Sequence, residues 1–91
     1  MRPIADPKEE TDILEKESEL YEIILYNDHV NTFDHVIACL MLYCEHDMEQ
    51  AQQCAWITHL KGRCSVKVGS YDDLTTPCSA LLEQGLSAEI C

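Results

Sequence analysis

Apolar and polar residues alternate from Tyr21 to Asn27, with Tyr21, Ile23 and Leu25 on one side and Glu22, Ile24 and Tyr26 on the other. β-Branched and aromatic types dominate, so the run predicts a strand, ended by the turn chemistry of Asn27-Asp28. The period then lengthens. Phe33, Val36, Ile37, Leu40, Met41 and Cys44 recur at three-and-four spacing and predict a helix from about Thr32 to Cys44. Asn31 is the expected N-cap, and Asp34 suits the positive helix start. Asp47 with Gln50 reads as the cap of a second helix, in which Met48, Ala51, Ala55 and Thr58 form one face with Cys54, Trp56 and Ile57 beside it. Gly62 is the expected stop, preceded by Lys61 at the negative end. Alternation returns over Arg63 to Val68, with Cys64, Val66 and Val68 facing one way and Arg63, Ser65 and Lys67 the other. Tyr71 to Leu74 predicts a helical turn. Pro77 is expected at the first position of a third helix capped by Thr76, running to Gln84 and stopped by Gly85. Leu86 to Cys91 predicts a short last strand.

This order, β-α-α-β-α-β, predicts an α+β domain: a small sheet with helices stacked on one face. The pattern alone leaves the strand directions open. Residues 1–20 contain two prolines, seven acids and three bases, and too few apolar residues to bury a core, so a flexible acidic N-terminal tail is expected there. The domain is expected over 21–91. A chain of 91 residues fits one such unit with a modest core.

Charge narrows the partners. Seventeen acids against six bases give a net charge of −11, which disfavours nucleic-acid backbones and anionic membranes. No stretch reaches the length of a membrane span, and Met1-Arg2-Pro3 is followed by charged residues with no apolar leader. Five of the six cysteines, Cys39, Cys44, Cys54, Cys64 and Cys78, fall mostly on apolar faces. They read as reduced core thiols of a cytoplasmic protein. Cys44-Glu45-His46 could be half a metal site, but no C-x-x-C partner accompanies it, so neither a metal nor another cofactor is expected.

The candidate chemistry sits where the first strand ends. Asn27 can accept and donate, Asp28 supplies negative charge, and neutral His59 can accept through one ring nitrogen. An α-ammonium group needs such acceptors and gains from a nearby carboxylate. Each residue also has a plainer use: Asn27-Asp28 as a turn, and His59 at the C-terminal end of its helix, with His29 and His35 facing solvent.

The segment Ile24-Leu25-Tyr26-Asn27-Asp28, then Asn31-Thr32-Phe33 and Val36, then His59 with Lys61-Gly62, and finally Gly85-Leu86, resembles the ClpS family of Clp protease adaptors. The similarity spans roughly Tyr21 to Ile90. It implies a three-stranded antiparallel sheet with three helices on one face and a non-enzymatic role. It implies that Asn27, Asp28 and His59 recognise the α-amine and first peptide bond of N-degron substrates. Asn31, Phe33, Val36, Ala55, Thr58 and Ala88 would wall a pocket for a bulky hydrophobic first side chain. The partner implied is the N-terminal domain of a Clp AAA+ unfoldase of the ClpA or ClpC type. The N-terminal extension would engage it, and Asp72 would lie on the docking surface. The chain departs from the family at His29 (usually Asp), at Phe33 and Ala55 (both usually Met), and at Pro77 (a family lysine). Two other readings are a protein-interaction domain similar to the ribosomal stalk C-terminal domain, without amine recognition, and an enzyme with a Cys–His pair, for which no local motif exists.

Overall fold

The computed structural model describes residues 19–91. The expectations for the tail therefore lie almost wholly outside the described residues. The elements are β1 (Tyr21–Tyr26), α1 (Phe33–Tyr43), α2 (Met48–Lys61), β2 (Arg63–Gly69), α3 (Tyr71–Glu83) and β3 (Ser87–Ile90). The sheet has the order β2-β1-β3, and both pairings are antiparallel. The three helices pack on one face, as expected.

The sheet's inner face explains its alternation. Ile23 and Leu25 are buried, while Glu22 points outward. Leu25 pairs with Cys64 on one side and Ala88 on the other. Leu40 from α1, with Leu74 and Leu81 from α3, completes the fully buried centre. Each such side chain contributes about 1.5–3 kcal/mol by leaving water. The Lys67–Glu45 ion pair, at 3.7 Å with Glu45 largely exposed, is worth about 0–1 kcal/mol, so burial and not ion pairing holds the domain together.

Four details differ from the sequence-based expectations. Thr32, not Asn31, caps α1: its hydroxyl accepts from His35 N–H at 3.1 Å, which leaves the Asn31 side chain for other work. The buried side of α1 includes Cys39 in place of Met41, which is exposed. In β2 the alternation breaks at a bulge, because Ile23 pairs with Lys67 and Ile24 with Ser65. Val66 is the extra residue, so Lys67 turns half-inward and Val68 is exposed. His46, itself buried, donates from Nε2 to the Val66 carbonyl at 2.6 Å and pins the bulge.

The largest difference concerns Pro77. It does not begin a helix but sits inside α3, which starts at Tyr71 with Ser70 accepting from Asp73 N–H. Pro77 cannot donate to the Asp73 carbonyl, a loss normally costing about 3 kcal/mol. The helix passes through because Leu74, Cys78 and Leu81 are buried on both sides of the proline. Packing outweighs the missing bond.

Gly62 ends α2 with φ 93°, and a Cβ there would meet no atom within 4 Å. Only backbone strain should therefore penalise Gly62→Ala. A left-handed L-residue costs about 1–2 kcal/mol, partly offset by about 0.4–1 kcal/mol of unfolded-chain entropy. The expected outcome is a destabilisation of about 1 kcal/mol in urea denaturation, with an unchanged slope.

Candidate functional site

β1 stops at Tyr26, and the backbone N–H of Asn27 donates to the Gly62 carbonyl at 2.9 Å. This bond brings the strand end against the C-terminal end of α2. His59 lies in the last turn of that helix. Beside this junction is a cavity of about 380 Å³ lined by Asn27, Asp28, Asn31, Phe33, Val36, Ala55, Thr58 and His59. These residues come from the loop after β1, from α1 and from α2, so the fold assembles segments some thirty residues apart.

The polar side chains have unequal freedom. Asp28 accepts at Oδ1 from Val30 N–H (2.9 Å) and Asn31 N–H (2.8 Å), and at Oδ2 from Asn31 Nδ2 (2.9 Å). Burial pushes its carboxyl pKa up, but these hydrogen bonds outweigh burial and hold it below the usual carboxylate value. The group is thus a fixed negative charge that shapes the loop, with lone-pair capacity left for one more donor. The Asn27 side chain and the His59 ring make no hydrogen bond among the described residues, and both are exposed. They are free to meet a ligand.

The apolar side is built from both helices. Ala55 is almost wholly buried, and its lack of bulk leaves the cavity open. Thr58 is also buried and lines the cavity, its hydroxyl already satisfied by donating to the Cys54 carbonyl at 2.8 Å. Phe33 meets Trp56 edge-to-face at 4.9 Å and His59 at 5.6 Å. The three rings form one aromatic corner, with Trp56 half exposed.

Eight of the nine residues expected on one side or the other line this one cavity, Asn31 among them and also bonded to Asp28. Ala88 does not line the cavity. It is half-buried on β3 opposite Leu25, and Leu86, two residues earlier, lines the cavity instead. Asp72 lies outside it, in the first turn of α3. Sequence reasoning missed Trp56, Leu25, Tyr26, His29 and Leu86 as lining residues. Trp56 had a signal, since it directly follows Ala55 and is one turn before His59.

Burial raises the thiol pKa of Cys39 and Cys78, and lifts Cys44 to about 11 and Cys54 to about 12. These are neutral, packed thiols at physiological pH, unlike activated nucleophiles. No group of three or more His, Cys, Asp or Glu among the described residues could hold a metal ion, and no described helix is long and apolar enough to cross a membrane. His46 explains half of the Cys44-Glu45-His46 signal: its Nε2 is engaged with Val66.

Because the folded Asp28 carboxyl titrates below its unfolded value, its stabilisation is complete above the unfolded pKa. It disappears as pH falls through the folded pKa. Asp28→Asn should therefore be less stable than wild type at pH 7, and the gap should close as pH drops below about 4. Thermal melts of both proteins from pH 3 to pH 7 check this.

Residues 16–89 match the family described as "ATP-dependent Clp protease adaptor protein ClpS". The ClpS adapter of Thermosynechococcus vestitus is 33% identical over 86 residues, covering 93% of this chain and 92% of its own. The ClpS adapter of Treponema denticola is 36% identical over 66 residues, covering 72% of this chain and 65% of its own. A segment of the Caenorhabditis elegans E3 ubiquitin-protein ligase ubr-1 is 41% identical over 59 residues, 65% of this chain but 3% of that protein. Agrobacterium tumefaciens ClpS2, solved with L-phenylalaninamide, shares the fold with a TM-score of 0.72 at 22% identity, over 79% of this chain and 94% of its own. The breadth of the sequence match, more than the shared fold, decides the assignment: this chain belongs to the ClpS family of adaptors of the ATP-dependent Clp protease.

Proposed function

We propose that the cavity captures the free α-amine and bulky hydrophobic first side chain of N-degron substrates, for delivery to the N-terminal domain of a ClpA- or ClpC-type unfoldase. The observation that carries this reading is the pairing of a polar mouth with an apolar interior. Asn27, Asp28 and His59 line the same cavity as Phe33, Val36 and Ala55. An ammonium group would find the fixed Asp28 charge and the uncommitted Asn27 oxygen. His59 would accept an N–H through its unprotonated nitrogen. A pocket of this size admits a large side chain while excluding most water. The ligand solved with ClpS2 has both features, a free α-amine and an aromatic side chain. No reacting group is required, since holding and releasing the substrate is the whole task. Asp72 and the N-terminal extension are proposed for the unfoldase side of the molecule.

The protein's single tryptophan, Trp56, lines the cavity and gives an optical readout. Peptides beginning with Phe should change its fluorescence only when their N-terminus is free. Acetylation removes a charge-assisted hydrogen bond worth about 1.5–3 kcal/mol, so affinity should fall at least about tenfold. Equal affinity for free and acetylated peptides would exclude this function for the site. His59→Ala should also weaken binding more than it lowers the melting temperature.

Ala55 makes a second, independent test of the interior. Ala55→Met introduces three further heavy atoms into the cavity wall, and overfilling a packed site costs about 1–3 kcal/mol. Peptides starting with Phe, Tyr or Trp should lose the most affinity and those starting with Leu less. In wild type, Val and Ile should bind poorly, because branching at Cβ crowds the entrance. Calorimetric titration of the peptide series on both proteins measures the order.

A further inference from the structure

Leu86 is a cavity wall in the connection between α3 and β3, buried against the core, with its N–H donating to the Leu81 carbonyl at 3.0 Å. It follows the turn at Gln84-Gly85, where α3 ends and the chain reverses into β3. Gly85 takes φ 89°, a conformation that favours glycine, so the direction in which Leu86 departs is set at this turn. Two successive carbonyls of the turn accept side-chain donors from the region where α1 begins. His35 Nε2 lies 2.9 Å from the Gln84 oxygen, and Asn31 Nδ2 lies 2.9 Å from the Gly85 oxygen. A carbonyl can only accept, so the His35 ring carries a proton on Nε2. The same nitrogen is 3.7 Å from Cys39 Sγ, which flanks the ring from the core side.

The two donors are four residues apart, at the start of α1. The Asn31 amide also donates to Asp28 Oδ2, and its backbone N–H donates to Oδ1. A continuous path of hydrogen bonds therefore runs from Asp28 at the polar mouth, through Asn31, to the turn that carries Leu86. His35 adds a second anchor to that turn. It belongs neither to the expected amine set nor to the expected pocket wall, and it does not line the cavity.

We propose that His35 and Asn31 are positioning residues for ligand selection: they clasp the Gln84-Gly85 turn and thereby fix how far Leu86 enters the side-chain pocket. The proposal rests on the amine-pocket reading above. A clasped Leu86 gives the pocket a defined depth, so ligands of different size are told apart. A released Leu86 can yield to large side chains and no longer packs tightly on any of them. The first effect of breaking the clasp is therefore on the ratio of affinities between first residues.

The test uses the full chain and free-amine peptides beginning with Leu, Phe or Trp, titrated against wild type, His35→Ala, Asn31→Ala, His35→Gln and His35→Glu, with a melting curve for each protein. His35→Ala should weaken the best wild-type ligand about fivefold, the worth of one ordinary hydrogen bond, and bring the three affinities closer together. Asn31→Ala should act in the same direction. His35→Gln keeps an N–H donor and should restore both affinity and ratio, whereas His35→Glu presents acceptors to a carbonyl and should not. If either alanine variant fails to fold, the Gln and Glu pair carries the same comparison. Unchanged ratios in the variants, or equal losses on all peptides that follow the melting temperature, would overturn the clasp while leaving the amine pocket intact. A wild-type protein that binds none of the peptides would instead overturn the pocket reading, and the clasp with it.

Discussion

The site depends on one backbone hydrogen bond, from Asn27 N–H to the Gly62 carbonyl. It extends the β1–β2 pairing past the last strand residue, since Tyr26 already pairs with Arg63. Gly62 makes it possible by reversing the chain with a left-handed residue directly between α2 and β2. Because the helix ends there, the last turn of α2 must lie beside the end of β1. His59 and Asn27 are brought to one cavity by this closure and not by any contact between their side chains.

The polar mouth divides its labour. Asp28 is satisfied by Asn31 and Val30, so its charge is fixed in place before any ligand arrives. Asn27 and His59 retain unused hydrogen-bonding capacity. For the proposed function this arrangement would lower the ordering cost of binding, because the loop that presents the acceptors is already held by internal bonds. Asn31 serves the same end twice, toward Asp28 and toward Gly85.

The apolar interior shows how Phe33 and Ala55 share one space. Phe33 places a large, stiff ring on α1, and Ala55 takes volume away from α2. Trp56 then rests edge-on against Phe33 outside the buried wall. The aromatic bulk thus gathers at one corner of the cavity, and Ala55 keeps the interior from filling.

Much of the fold was legible because its signals are local. Alternation placed β1, capping chemistry placed α2 between Asp47 and Gly62, and the glycine stops fell where the chain needs positive φ. Asn27, Asp28 and His59 were legible as chemistry, and the family resemblance joined them. Other features were decided only by the tertiary structure. The β2 bulge depends on which residue of β1 lies opposite, and on His46 reaching Val66 from another element. Helix α3 runs through Pro77 because buried neighbours on both sides outweigh a lost hydrogen bond, a balance that local propensity cannot express. Leu86 rather than Ala88 lines the cavity because the Gly85 turn sets its direction. Sequence pattern fixes which residues want burial or a cap, since those preferences act within a few residues. Which residues meet across the fold is set by packing and chain closure, which no short window of sequence contains.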